Sequence, residues 1–152
     1  MFLYNKQQCI AKNLPCHPIN TKKFLILQCM TLGVYSFYWW YRNWICLDTH
    51  NDKTTSRDFL LILCKTFCSP IFCYQFFHTI SCTARNYKTP YHWDPFILSL
   101  VYTTCHIILA LSWLDIIAFE VFIWFGGLSI LALLPVQLTI NSIYQRRFLE
   151  RA

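Results

Sequence analysis

The chain has 152 residues, of which 13 % are charged, 56 % hydrophobic and 18 % aromatic, with a formal charge of +6. Ordinary soluble domains carry charge on about a quarter of their residues, and here the cations flank apolar runs instead of forming a patch with aromatics free to stack, which sets a nucleic-acid partner aside. Nine cysteines would suit a secreted disulfide scaffold, but the number is odd, and Cys29, Cys64, Cys68, Cys73 and Cys105 sit inside apolar segments, where cysteine acts as a small hydrophobe.

Residues 1–23 read as a basic N-terminal tail. Lys6, Gln7 and Gln8 interrupt its start, and no cleavable signal peptide is visible there. A first apolar segment, 24–45, opens with eighteen uncharged residues from Phe24 to Tyr41. As one helix that stretch is about 27 Å long, close to a hydrocarbon core of about 30 Å. Its end gathers Tyr38, Trp39, Trp40, Tyr41 and Trp44 beside Arg42. Amphipathic rings favour the headgroup level, so these six residues are expected to be membrane-interface anchors facing lipid, with Arg42 snorkelling.

A polar connection follows, in which Thr55 or Ser56 can cap the next helix. Asp48, His50 and Asp52 alternate as metal-ligand types, but three ligands on a loop are too few to assign a metal. The segment 59–82 is strongly apolar yet carries Lys65, Pro70 and His78. It either spans, with Lys65 snorkelling, or lies in the interface as an amphipathic or re-entrant element. Cys64 and Cys68 share a helical face, as a redox pair would, but neither a second Cys pair nor a nearby base accompanies them. The Cys16–His17 pair is a weaker signal still.

Two more apolar segments, 96–114 and 119–145, are joined by the short "DIIAFE" link and predict a helical hairpin; 146–152 is a basic C-terminal tail. Ser99, Thr103 and His106 share one helix face, and Ser129, Gln137 and Asn141 lie on a common face of the next. Antiparallel packing would set His106 level with Ser129 and Ser99 level with Gln137. These six residues form a candidate intramembrane polar cluster: either a proton-handling path centred on His106, or hydrogen bonds between packed helices. Pro135 is expected to bend the last helix, while Gly126 and Gly127 would let it approach a neighbour.

The expected fold is all-α: an integral membrane protein of about four apolar helices in a single membrane domain, 24–145, ending in the hairpin. With four spans, nine cations lie on the cytoplasmic side with both termini and three lie outside. Three spans would strand Arg146 and Arg147 opposite Lys22 and Lys23. Two spans would put every Lys and Arg inside, so the positive-inside bias does not separate four from two. Length and the charge-free first run favour four.

Thr31, Leu32, Gly33, Val34, Tyr35, Tyr38, Trp39 and Tyr41 resemble the Thr-(Leu/Phe)-Gly-(Ile/Val)-Tyr-x-x-Tyr-Trp-x-Tyr signature of a group of small bacterial membrane proteins of unknown function. "RNW", the Phe67, Pro70, Ile71, Phe72, Tyr74, Phe77 series and "LLPVQLTINSIY" are similar to later parts of one subgroup, though the abundant cysteines depart from it. The resemblance implies a bacterial inner-membrane location and carries no activity with it. The expected function is therefore that of an accessory, interaction or scaffold protein whose partners are the lipid bilayer and a second copy or another membrane protein. The alternative is a transporter or channel component with a polar path around His106, and a membrane thiol or redox protein comes third. No catalytic residue, cofactor or metal is expected.

Overall fold

The computed structural model describes residues 18–31, 33–48, 56–113 and 119–149, and among these every regular element is helical. Six helices follow in order: α1 (Thr21–Met30), α2 (Tyr35–Asp48), α3 (Ser56–Phe67), α4 (Ser69–Asn86), α5 (Pro95–Trp113) and α6 (Phe119–Leu149). The all-α class is as expected. The loop carrying His50 and Asp52, the Cys16–His17 pair and all of 114–118 lie outside the described residues.

The first apolar run is not one helix. Thr31 closes α1 and opens α2: its hydroxyl donates to the Leu27 carbonyl at 2.7 Å and accepts the Tyr35 N–H at 2.9 Å. Gly33 sits at φ +88°, a left-handed conformation that suits glycine, and its N–H returns to the Gln28 carbonyl at 2.9 Å. The Thr-Leu-Gly-Val-Tyr stretch is thus a joint between two helices, where the expectation was the interior of a span. A second break separates α3 from α4, whose axes bend by 104°. Pro70 stands in the first turn of α4, where its missing N–H is tolerated and its ring stops α3 from continuing.

The hairpin is present. Asp94 caps α5 by accepting the Phe96 and Ile97 N–H groups at 2.8 and 3.1 Å, with Pro95 as the first helical residue. Trp93, just before α5, donates to Thr139 Oγ1 late in α6 at 2.9 Å, so the two helices run antiparallel. These two are long and apolar enough to cross a membrane, over Pro95–Ser112 and Trp124–Leu149, and the bent α3–α4 pair would make a third crossing if it acts as one span. Of the four apolar helices expected, two, or three with the bent pair, meet that length and hydropathy among the described residues. Gly126 and Gly127 face open space among the described residues, so they do not mediate the close approach expected of them.

The core joins α1, α2 and α4 to the hairpin. Trp39, Trp40 and Trp44 of α2 pack on Phe76 and Phe77 of α4, with Tyr102 of α5 and Leu133, Val136 and Ile140 of α6 completing the cluster. Several of these rings meet edge to face at centroid separations of 4.9–5.6 Å, the geometry the ring quadrupole favours.

Candidate functional site

The belt expected to face lipid points largely the other way. Trp39, Trp40 and Trp44 are 0 %, 1 % and 2 % exposed, while Tyr38 is 48 % exposed and Tyr41 and Arg42 are half-buried. Spacing explains the inversion: Trp40 and Trp44 lie one helical turn apart and Trp39 sits beside Trp40, so one face of α2 turns all three indoles toward α4, α5 and α6. Lys65 Nζ lies 4.8 Å over the Trp44 ring, a cation–π contact where snorkelling toward water was expected. Arg42 Nε is buried and has no hydrogen-bond partner among the described residues.

A buried indole needs an acceptor for its N–H, and two of the three find one across the fold. Trp40 donates to the Tyr102 hydroxyl at 2.8 Å, and Tyr102 is also hydrogen-bonded to Ser69. Trp39 donates to Gln137 Oε1 at 2.6 Å. The Gln137 amide donates in turn to the Ile19 carbonyl at 3.2 Å and to Asn141 Oδ1 at 2.9 Å. Asn141 Nδ2 donates to that same Ile19 carbonyl at 2.8 Å and reaches Thr21 Oγ1 at 3.4 Å. Gln137 and Asn141 thereby tie the start of α1, and α2 through Trp39, to the last third of α6.

The six-residue polar cluster does not assemble as one site. Gln137 and Asn141 meet, as their spacing of four implies. Thr103 turns toward α4 instead of α6: its hydroxyl donates to the Pro70 carbonyl at 2.8 Å and lies 3.4 Å from Cys73 Sγ, whose thiol also reaches the Ser99 carbonyl at 3.7 Å, while the Ser99 hydroxyl donates to the Phe96 carbonyl of its own helix at 2.8 Å. His106 Nδ1 bonds to the Tyr102 carbonyl one turn back on its own helix at 2.9 Å, and its ring lies on Tyr102 with centroids 4.2 Å apart. Ser129 donates to the Gly126 carbonyl of its own helix at 2.8 Å. Among the described residues no hydrogen bond joins Ser99, Thr103 or His106 to Ser129, Gln137 or Asn141. A shared face on each helix predicts a shared interface, but α5 divides its small polar residues between α4 and itself.

No group of three or more His, Cys, Asp or Glu among the described residues could hold a metal ion. Cys64 and Cys68 are both exposed, at the end of α3 and at the bend. Burial pushes the Cys46 thiol up, against the pull of Arg42, which leaves it mostly protonated and a poor nucleophile at neutral pH. Cys82 Sγ lies 3.8 Å from His78 Nδ1, a thiol–imidazole contact that the spacing of four could have flagged. Compared with family models, curated proteins and solved structures, the chain matches none.

Proposed function

We propose that this is a multi-pass membrane protein that acts by interaction, as an accessory or scaffold subunit, with α5 and α6 crossing as a hairpin and α1–α4 packed against its inner half. The observation that carries this reading is the surface of the two long helices. Only 17 % of the Pro95–Ser112 window is buried within the protein, and Phe96, Ile97, Leu100 and Ile107 are all more than half exposed. So much apolar surface on a helix needs an apolar partner, and lipid supplies one.

Parity supports two crossings. The hydrogen bonds from Gln137 and Asn141 to Ile19 and Thr21 hold the start of α1 beside the C-terminal half of α6, at the level of Thr139, where Trp93 brings in the start of α5. Both ends then share one side of the bilayer, which requires an even number of crossings between them. With α5 and α6 crossing, the bent α3–α4 pair enters and returns. Lys22, Lys23, Arg85, Lys88, Arg146 and Arg147 gather at that end, the cytoplasmic one by positive-inside bias, while Glu120 starts α6 at the other. The signature around Thr31–Tyr41 supports a bacterial inner membrane.

A transport path around His106 finds less support, because its Nδ1 is bonded within its own helix and its ring is stacked on Tyr102. The experiment is single-cysteine labelling at His50→Cys in a cysteine-free background, with a membrane-impermeant maleimide on intact cells. Protection in cells with labelling after lysis is expected. Labelling from outside would return the chain to four spans.

A further inference from the structure

A cleft of about 430 Å³ opens between the segment 18–21 and the C-terminal third of α6, walled by Asn20 and Thr21 on one side and by Leu138, Ser142, Tyr144 and Gln145 on the other. We propose that this cleft, together with one face of α6, is a binding site for a single anionic phospholipid, the phosphate seated in the cleft and an acyl chain laid along the helix. The proposal rests on the membrane reading above and adds a specific ligand to it.

The α6 face has the polarity of such a molecule. At 100° per residue, Trp124, Leu128, Leu131, Leu138, Ser142, Gln145 and Arg146 fall within about 60° of one direction. The first four are exposed and apolar, at 73 %, 45 %, 55 % and 48 %. They run over fifteen residues, about 21 Å of helix, which is the length of an extended acyl chain of ordinary size. Beyond Leu138, which lines the cleft, the face turns polar before it closes on the exposed Leu149. Ser142, Gln145 and Arg146 continue the same face as a hydroxyl, an amide and a guanidinium. A face that merely met bulk lipid would end in solvent, whereas this one runs into a cleft closed on its far side by another segment of the chain.

Charge at the cleft favours an anion. No charged residue of either sign lines it, and its edges at Thr21 and Gln145 lead directly into Lys22 and Arg146. Lys22 and Lys23 are exposed in the first turn of α1, where there is no acidic residue. Two cations at the positive end of a helix are unfavourable to one another and to the helix dipole. Exposed Arg146 adds a third from α6, one turn beyond Ser142. The same positions become favourable when a phosphate sits among them, with the Gln145 amide beside it; the Ser142 hydroxyl donates to the Leu138 carbonyl at 3.0 Å.

The test is native mass spectrometry of the full-length protein released from mixed micelles holding equal phosphatidylglycerol and phosphatidylcholine. One phosphatidylglycerol is expected to be retained at least tenfold over phosphatidylcholine. The preference should be lost in the triple variant Lys22→Gln, Lys23→Gln, Arg146→Gln, which removes the cations next in the chain to its lining, and kept in Arg85→Gln, Lys88→Gln, which removes cations at the end of α4. Leu131→Asn with Leu138→Asn, both at exposed positions, should weaken retention at least severalfold with every cation intact. Circular dichroism of each variant separates loss of the site from loss of the fold. Displacement of the lipid by 10 mM inorganic phosphate would mean that the cleft takes the soluble anion, and would overturn the proposal. Equal retention of both lipids by protein that resists carbonate extraction from membranes would also overturn it while leaving the membrane reading standing. Release by carbonate would overturn that reading itself.

Discussion

Gln137 is wholly buried and uses its acceptor and its amide on three partners, Trp39, Ile19 and Asn141. Replacing it with leucine strands the Trp39 N–H and takes the donor from Asn141 Oδ1, while the Ile19 carbonyl keeps Asn141 Nδ2; an orphaned buried polar group costs about 1–3 kcal/mol. Gln137→Leu should therefore lower the thermal unfolding midpoint of the detergent-solubilised protein clearly. Adding Trp39→Phe, which removes the stranded donor, should make the pair less damaging than the sum of the two singles. Additive losses in that double-mutant cycle would show that the 2.6 Å contact contributes nothing. His106 presents the opposite case. Its ring bonds to a carbonyl already placed to accept a helical N–H, so His106→Ala should lower stability by less than about 1 kcal/mol, in line with side-chain hydrogen bonds measured inside membranes. A loss of several kcal/mol in the same melts would mean that His106 holds elements together and is not merely bonded within its own helix.

Backbone conformation governs the two joints that shape the inner half of the molecule. Gly33 at φ +88° meets nothing within 4 Å at the place of an added Cβ, so Gly33→Ala should cost about 1 kcal/mol through backbone strain alone, without a clash. Lys88 holds φ 50° at the end of α4, where the Thr89 N–H returns to the Ala84 carbonyl at 2.8 Å. Its side chain is exposed, so Lys88→Gly should stabilise the protein by up to about 1 kcal/mol. Chemical denaturation of both variants checks the pair of signs, and a destabilising Lys88→Gly would mean that the lysine side chain contributes more than its backbone strain. These joints were legible in part. Gly33 and Pro70 are the strongest punctuation in their segments, yet a charge-free run of spanning length outweighed a single glycine. The hairpin was readable because its two runs are long, uncharged and closely linked. The burial of Trp39, Trp40 and Trp44 was not, since tryptophan serves interfaces and cores alike and only the partners on α4 and α6 decide between them. The split polar cluster has the same origin: residues sharing a face on one helix do not say which neighbour that face meets.

For the whole molecule, the arrangement of charge and the course of the chain lead to the same parity. An uninterrupted helix over Phe24–Tyr41 would have carried the chain across the bilayer before the polar connection. Instead the break at Thr31–Gly33 turns α2 back so that its indoles reach Gln137 and Tyr102, and the start of α1 stays bonded to α6. In the proposed membrane hairpin those buried indoles sit near the end that carries Arg146 and Arg147, a depth that suits tryptophan even though their faces meet protein and not lipid. This placement can be tested without reference to any activity. Thr21→Cys and Asn141→Cys, introduced together in a cysteine-free background, replace two side chains that approach to 3.4 Å. Mild oxidation of native membranes should join them within one chain, changing its gel mobility in a way that a reductant reverses, while Thr21→Cys with Glu120→Cys should not react. The first pair can form only if an even number of crossings separates residue 21 from residue 141's end of α6, because a bilayer would otherwise hold the two thiols about 30 Å apart. Joining of Thr21→Cys to Glu120→Cys in its place would put the start of α1 at the opposite end of the hairpin, and the hydrogen bonds to Ile19 could not then exist.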